Sequence, residues 1–205
     1  MAHNTARRRD PASGKALQMA DKGIAITFVL ALEDDHKHPG CITQLRGDGG
    51  GRTRLGIAER FHPALAAEGF YAGDAIEGST NPQRWDPTTI SKDEGMKIAL
   101  ATYGAEYADP LLLDELADQG VANRLLSFCV NEGMHQGVTI LQRCLPGIAS
   151  DGCIGPKTIA AANALDPADL IGRLRDAQVD FYARVASTNP CLAEYAKGMQ
   201  ARANA

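Results

Sequence analysis

The sequence predicts a mainly α fold, and three features carry that expectation. Aromatic residues make up only 5% of the chain, while Ala and Leu are abundant, a balance that favours helix over sheet. Apolar residues recur at helical spacing through the second half, and Pro, Gly and Asp punctuate the segments. Neither internal repeats nor βαβ alternation is present.

At 205 residues and 44% hydrophobic content, the chain suits one domain, or one domain with a small appended lobe. A net charge of −4 argues against a nucleic-acid binder, which normally shows a basic face. No apolar run approaches the ~20 residues needed to cross a bilayer. The run Ile24–Leu32 makes a poor signal peptide: Asp21 stands at its entrance and acidic residues follow it. A soluble protein without a conventional secretion signal is expected.

Residues 1–14, with a basic triplet at Arg7, Arg8 and Arg9, read as a flexible tail. A first helix is expected from about Lys15 to Leu32, although the β-branched Ile24, Ile26, Thr27 and Val29 leave a strand reading open. Pro39 and Gly40 break the chain. Residues 41–57 are expected to be irregular or a short hairpin, because Gly47, Gly49, Gly50, Gly51 and Gly56 permit tight turns. Residues 58–90 read as loop with one short helix, forming a groove wall that carries Trp85. Ser91 and Glu94 form a capping box, and the helix after them carries Met96, Leu100, Tyr103 and Tyr107 on one stripe until Pro110.

The second half is more plainly helical. A helix over Asp114–Asn131 is expected to bury Ala122, Leu125, Leu126 and Cys129, with a break at Asn131-Glu132-Gly133. The next buries Met134, Val138, Leu141 and Leu145 and stops at Pro146-Gly147. Pro156 suits the first position of a short helix. Asp166 and Pro167 open a long final helix with Leu170, Leu174, Ala177, Phe181 and Val185 facing inward.

The chemistry concentrates between Ile24 and Ile57. At 100° per residue, Glu33 shares a helix face with Ile26, Val29 and Leu30. An apolar surrounding and the negative end of a helix dipole both favour the protonated acid, the state a general acid requires. Alone, Glu33 is ordinary, and Asp48 in a glycine turn is by default an Asx turn residue. Together with Thr53 they bring two carboxyls and a hydroxyl to one cleft, the arrangement that glycosidic hydrolysis uses. The segment Asp34-Asp35-His36-Lys37-His38 holds metal-ligand types, but a solvated loop outweighs a metal site there. The glycine run Gly47-Asp48-Gly49-Gly50-Gly51 lacks the Lys and Ser/Thr of a phosphate loop. The five cysteines form no CxxC pair, which disfavours a zinc ribbon. Cys144 and Cys153 flank a turn-rich loop and are the first candidates for a disulfide in an oxidising compartment, while Cys129 reads as core.

Glu33 followed by Asp48-Gly49-Gly50-Gly51-Arg52-Thr53-Arg54-Leu55-Gly56-Ile57 resembles the glycoside hydrolase family 108 muramidases. Val130-Asn131-Glu132-Gly133, Leu141-Gln142 and Asp151-Gly152-Cys153-Ile154-Gly155-Pro156-Lys157-Thr158 resemble the predicted peptidoglycan-binding region that accompanies that family. The resemblance covers about residues 17–200. It implies a lysozyme-like helical fold, with the Gly-rich loop or hairpin beside the active-site helix. Residues 15–110 would be the catalytic lobe, and 111–205 a helical peptidoglycan-binding region. The implied activity is cleavage of the β-1,4 bond between N-acetylmuramic acid and N-acetylglucosamine, without a cofactor. Glu33 maps to the catalytic acid, Asp48 to the second carboxylate and Thr53 to a group positioning water or sugar.

Asp34 and Asp35 stand where the family has two glycines, so they contact substrate or compete with Asp48 for the second role. The spacing from Glu33 to Asp48 is longer than the family's, and Met199 replaces an expected aromatic. Asn131 is a candidate sugar-bonding residue. Tyr103 and Trp85 are candidates for stacking on sugar, although tyrosines at helical spacing read more readily as core. The implied setting is the periplasm, reached through a holin-type pore or a specialised secretion machine, with an endolysin and an antibacterial effector both fitting. An effector would have an immunity protein as partner. Rival readings are a lytic transglycosylase, a metal-dependent amidase or peptidase using His36 and His38, and a non-catalytic wall-binding module.

Overall fold

The computed structural model describes residues 19–33, 42–44, 51–72, 76–77, 90–188 and 203, and these are mainly helical. They fall into two compact units: residues through Ala25 together with Glu106 onward, and Ile26–Ala105.

Helix α1 (Lys22–Glu33) leads the chain from the first unit into the second. It starts later than the sequence suggests because the backbone before it is held elsewhere. The amide of Ala20 donates to the carbonyl of Leu116 at 2.8 Å, and that of Asp21 to Gln119 Oε1 at 2.8 Å. Asp21 Oδ1 then accepts from the amides of Gly23 and Ile24, at 2.7 and 3.3 Å, and so caps the helix. Lys22 is paired with Asp109 and Asp114, and the Asp109 hydrogen bond raises its pKa. Ile26, Val29 and Leu30, the predicted apolar stripe, are buried, and Ala25 is buried with them.

In the second unit, β1 (Ile42–Gln44), β2 (Thr53–Arg54), β3 (Ile57–Ala58) and β4 (Ile76–Glu77) form a sheet of order β3-β2-β1-β4. Strands β1 and β2 are antiparallel, with Thr43 opposite Thr53, and β2 and β3 are antiparallel, with Thr53 opposite Ala58. The parallel pairing of β4 with β1 places Thr43 opposite Ile76. Residues 59–61 form a 3-10 turn, followed by the short α2 (Pro63–Ala67).

Ser91 caps α3 (Lys92–Tyr103), its Oγ accepting from the Glu94 amide at 3.2 Å. The helix buries Gly95, Ala99 and Tyr103. Met96 and Leu100 are only half-buried, so the core-facing row runs through Gly95 and Ala99 beside the predicted stripe and joins it at Tyr103. A π-helical segment, Gly104–Ala108, continues from α3.

The first unit is built on α4 (Gln119–Glu132), α5 (Met134–Arg143), α6 (Pro156–Asn163) and α7 (Pro167–Thr188). Asp118 Oδ1 caps α4 by accepting from the Val121 amide at 2.9 Å. Ala122, Leu125, Leu126 and Cys129 are buried, as predicted. Only Gly133, at φ 88°, separates α4 from α5. The two helices cross so closely that a Cβ on Gly137 would lie 2.2 Å from Cys129 Sγ. Pro156 occupies the first turn of α6, and Asp166 Oδ1 caps α7 by accepting from Ala168 and Asp169.

In α7 the buried row is Leu170, Leu174, Gln178 and Tyr182, whereas Ala177, Phe181 and Val185 are half-buried. Gln178 belongs inside because its Oε1 accepts from Arg124 Nη1 at 3.0 Å, and the same nitrogen also donates to the Ala203 carbonyl. Phe128 packs edge-on against Phe181 and Tyr182, with centroids 5.4 and 5.7 Å apart.

Gln142 is buried to 1% exposure and holds the following loop. Its Nε2 donates to Asp151 Oδ1 at 2.7 Å and to the Cys153 carbonyl at 3.0 Å, and its Oε1 accepts from the Gly152 amide at 2.8 Å. The Cys144–Cys153 disulfide expected for an oxidising compartment is not formed in this structure. Both are free thiols, Cys144 in the core and Cys153 exposed on the loop that Gln142 fixes. Burial pushes the Cys129 thiol up to about 12 and also raises Cys144. At pH 8 a thiol of that pKa is thiolate in only about one part in ten thousand. Iodoacetamide in the folded state is therefore expected to alkylate Cys153 and spare Cys129 until urea unfolds the chain, as peptide mapping would read.

Candidate active site

Glu33 is the last residue of α1. Its side chain, with all of Asp34, Asp35, His36, His38, Asp48 and Trp85, lies outside the described residues. The described part of the site is the frame around Thr53 in the second unit.

Thr53 and Arg54 form β2, and successive strand residues point to opposite faces. Arg54 goes into the core, 1% exposed, where its Nη1 donates to the Phe70 carbonyl. Thr53 therefore points to the other face and is half-exposed. The β2–β3 connection is a two-residue turn, Leu55-Gly56, with φ of 52° and 75°. Positive φ at both central residues matches the right-handed twist of a hairpin. Glycine adopts it freely, but for leucine it is strained. Burial of the Leu55 side chain offsets that strain, and its carbonyl accepts a hydrogen bond from Tyr103 Oη at 3.1 Å.

Arg52 clamps the other end of the hairpin. Its Nε donates to Glu59 Oε2 at 2.6 Å, its Nη2 to Glu59 Oε1, and its Nη1 to the Tyr71 carbonyl at 2.7 Å. This two-pronged contact holds the Glu59 carboxyl below the usual carboxylate range and raises the Arg52 guanidinium. Stability from a depressed acid is present above its unfolded-state pKa and is lost as pH falls through its folded-state value. Glu59→Gln is thus expected to flatten the stability profile below about pH 4.5 at a cost, after solvent screening, of about 0.5–1 kcal/mol. Thermal melts between pH 3 and 7 would show it.

Of the residues expected to meet substrate whose side chains are described, Thr53 and Tyr103 lie in this unit. Tyr103 is 3% exposed, its hydroxyl is committed to Leu55, and its ring is closed to a sugar, so it takes the core role that its helical spacing also allowed. Asn131 belongs to the first unit, where it is exposed near the end of α4. Its Nδ2 donates to Tyr182 Oη at 2.7 Å and to Glu132 Oε1 at 2.6 Å. The sequence reading missed Arg52, Arg54, Glu59 and Gln142. The alternation Arg52-Thr53-Arg54 was a visible signal, since a strand must turn arginine and threonine to opposite faces. Among the described residues, no group of three His, Cys, Asp or Glu side chains is placed to hold a metal. No helix among them is long and apolar enough to cross a membrane.

The glycosyl hydrolase 108 family model matches residues 32–133, and that of a predicted peptidoglycan domain matches residues 136–204. The two matches run almost without a gap through Glu33, Asp48, Thr53 and Asn131 and on into the C-terminal helices. No curated protein matches the chain. A solved structure of Brucella abortus SagA is similar to it at 24% identity and a TM-score of 0.56, over 89% of this chain and 92% of that one. That likeness is one of fold. With a hydrolase match that opens beside the candidate acid and a peptidoglycan match directly after it, the chain belongs to the glycosyl hydrolase 108 family and is a peptidoglycan-hydrolysing muramidase.

Proposed function

We propose that the protein cuts the β-1,4 bond between N-acetylmuramic acid and N-acetylglucosamine, with Glu33 as general acid. The observation that carries this reading is that α1 buries Ile26, Val29 and Leu30 and ends at Glu33. A carboxyl at the negative end of a helix dipole beside an apolar stripe is biased towards its protonated form. Glu33 gives its proton to the leaving glycosidic oxygen as the C–O bond breaks. Asp48 then activates water or supports the oxocarbenium-like state, and Thr53 orients the water or sugar from the half-open face of β2. Asp34 and Asp35 border Glu33 in sequence and contact the sugar or assist in Asp48's place. Trp85 stacks on a sugar ring and Asn131 hydrogen-bonds the strand. The separation of the two working carboxyls sets the outcome, about 5–5.5 Å for retention and about 6.5–9.5 Å for inversion.

Digestion of purified peptidoglycan by the wild-type protein and by Glu33→Gln, read by mass spectrometry, tests the assignment. Muropeptides with reducing N-acetylmuramic acid ends, absent with the variant, support it. Anhydro ends would replace it with a lytic transglycosylase, and cut stem peptides with an amidase or peptidase. Intact glycan in both samples would leave a wall-binding module.

Cell-wall hydrolysis places the action outside the cytoplasm, and we take the periplasm as the compartment. An endolysin and an antibacterial effector both act there, and an effector would require an immunity protein that covers the cleft. Lysis on expression directed to the periplasm supports either role, and its absence counts against both.

A further inference from the structure

Phe61 is 71% exposed, and among the described aromatic residues it alone faces solvent. Fully burying a phenylalanine typically stabilises a protein by about 1.5–3 kcal/mol, and Phe61 contributes little of this to the fold. A single exposed apolar residue is ordinary on a protein surface. What distinguishes Phe61 is how firmly its short turn is held and what that turn is joined to.

The turn over residues 59–61 runs directly on from β3, whose Ala58 is the register partner of Thr53. Its first residue, Glu59, is gripped by the Arg52 guanidinium, and the Glu59 amide donates to the Arg52 carbonyl at 2.8 Å. At its far end, the His62 amide donates to the Glu59 carbonyl at 3.0 Å, and His62 Nδ1 lies 2.9 Å from the Ala58 carbonyl. Pro63 follows and opens α2. An open aromatic ring is thus carried on a backbone fixed at both ends, in the same unit as Glu33 and three residues beyond the partner of Thr53.

We infer that Phe61 is a glycan-binding residue, on whose ring the apolar C–H face of an N-acetylated sugar stacks as the peptidoglycan strand passes the hairpin. The inference rests on the reading that Thr53 faces the cleft. A flat ring suits a pyranose, whose axial C–H bonds leave one face apolar while its hydroxyls stay in water. A ring on a fixed backbone also loses little freedom when a sugar covers it.

Sedimentation with purified sacculi, which needs no cleavage, is measured for the wild type, Phe61→Ala and Phe61→Trp, alongside digestion rates, melting temperatures and size-exclusion profiles. The exposed position means that the melting temperatures of the three should agree. Phe61→Ala is expected to need about fivefold more sacculi for half-saturation, the scale of one lost aromatic contact, with Phe61→Trp close to wild type. In digestion, the loss falls on half-saturation more than on maximal rate. Equal binding by Phe61→Ala and wild type overturns the inference, as does wild-type protein that fails to sediment with sacculi. Wild-type self-association abolished by Phe61→Ala, with sacculus binding unchanged, would reassign the ring to a contact between copies. If the glycan is bound but not cut, the muramidase assignment fails while the binding comparison still decides the role of Phe61.

Discussion

Glu33→Gln is expected to slow the release of soluble muropeptides from purified peptidoglycan by about 10²- to 10⁴-fold, the range that loss of a general acid produces. Glutamine keeps the shape and polarity of the side chain but has no acidic proton to give the leaving oxygen. The fold should not register the change, because the burial that anchors α1 lies at Ala25, Ile26, Val29 and Leu30. An unaltered melting temperature with collapsed turnover is therefore the signature. Asp34→Asn, Asp35→Asn and Asp48→Asn, assayed beside it, should divide into one large loss and two smaller ones. The large loss identifies the second carboxylate. Turnover by Glu33→Gln within threefold of wild type would remove Glu33 from the mechanism.

Gly137→Ala should be among the most damaging single substitutions outside the catalytic frame. The added Cβ would sit 2.2 Å from Cys129 Sγ, closer than real contacts permit, and 3.2 Å from Cys129 Cα, tighter than most. Separating α4 from α5 disturbs a row that includes Leu125, Val138 and Leu141. Overpacking of this kind costs about 3 kcal/mol, or about 10 °C in melting temperature for a chain of this size. Removing the sulfur with Cys129→Ala should take back part of the loss, because the two sites share one contact and their effects cannot add. The backbone contact remains, so rescue will be incomplete. Additive losses in urea titrations of the double variant would show that the clash is relieved elsewhere.

The helices from α3 onward were legible because their ends carry local chemistry. Ser91, Asp166 and Pro156 act within three or four residues of where they stand, and the structure uses each as a cap or first-turn residue. Features set by distant partners were not legible. The start of α1 moved because Leu116 and Gln119, far along the chain, hold the amides before it. Gln178 displaced Phe181 from the buried row because its partner Arg124 lies 54 positions away. The parallel pairing of β4 with β1 has no short-range signal at all. In the site, the glycines and Thr53 marked the hairpin. The Arg52–Glu59 clamp that stiffens it joins residues on different strand ends and left no local signal.

The one-residue break at Gly133 bears on how modular this enzyme is. The hydrolase match stops at residue 133 and the peptidoglycan match begins at 136, so on paper the seam invites a cut. In three dimensions the seam is the tight corner of a helical hairpin. Helix α4, assigned to one family segment, is cored by α5 and α7, assigned to the other. A fragment ending at Gly133 would strip the cover from Leu125, Leu126 and Cys129. Exchange of wall-targeting parts between such enzymes, in the laboratory or in evolution, should therefore succeed only with breakpoints that keep α4 with its partners.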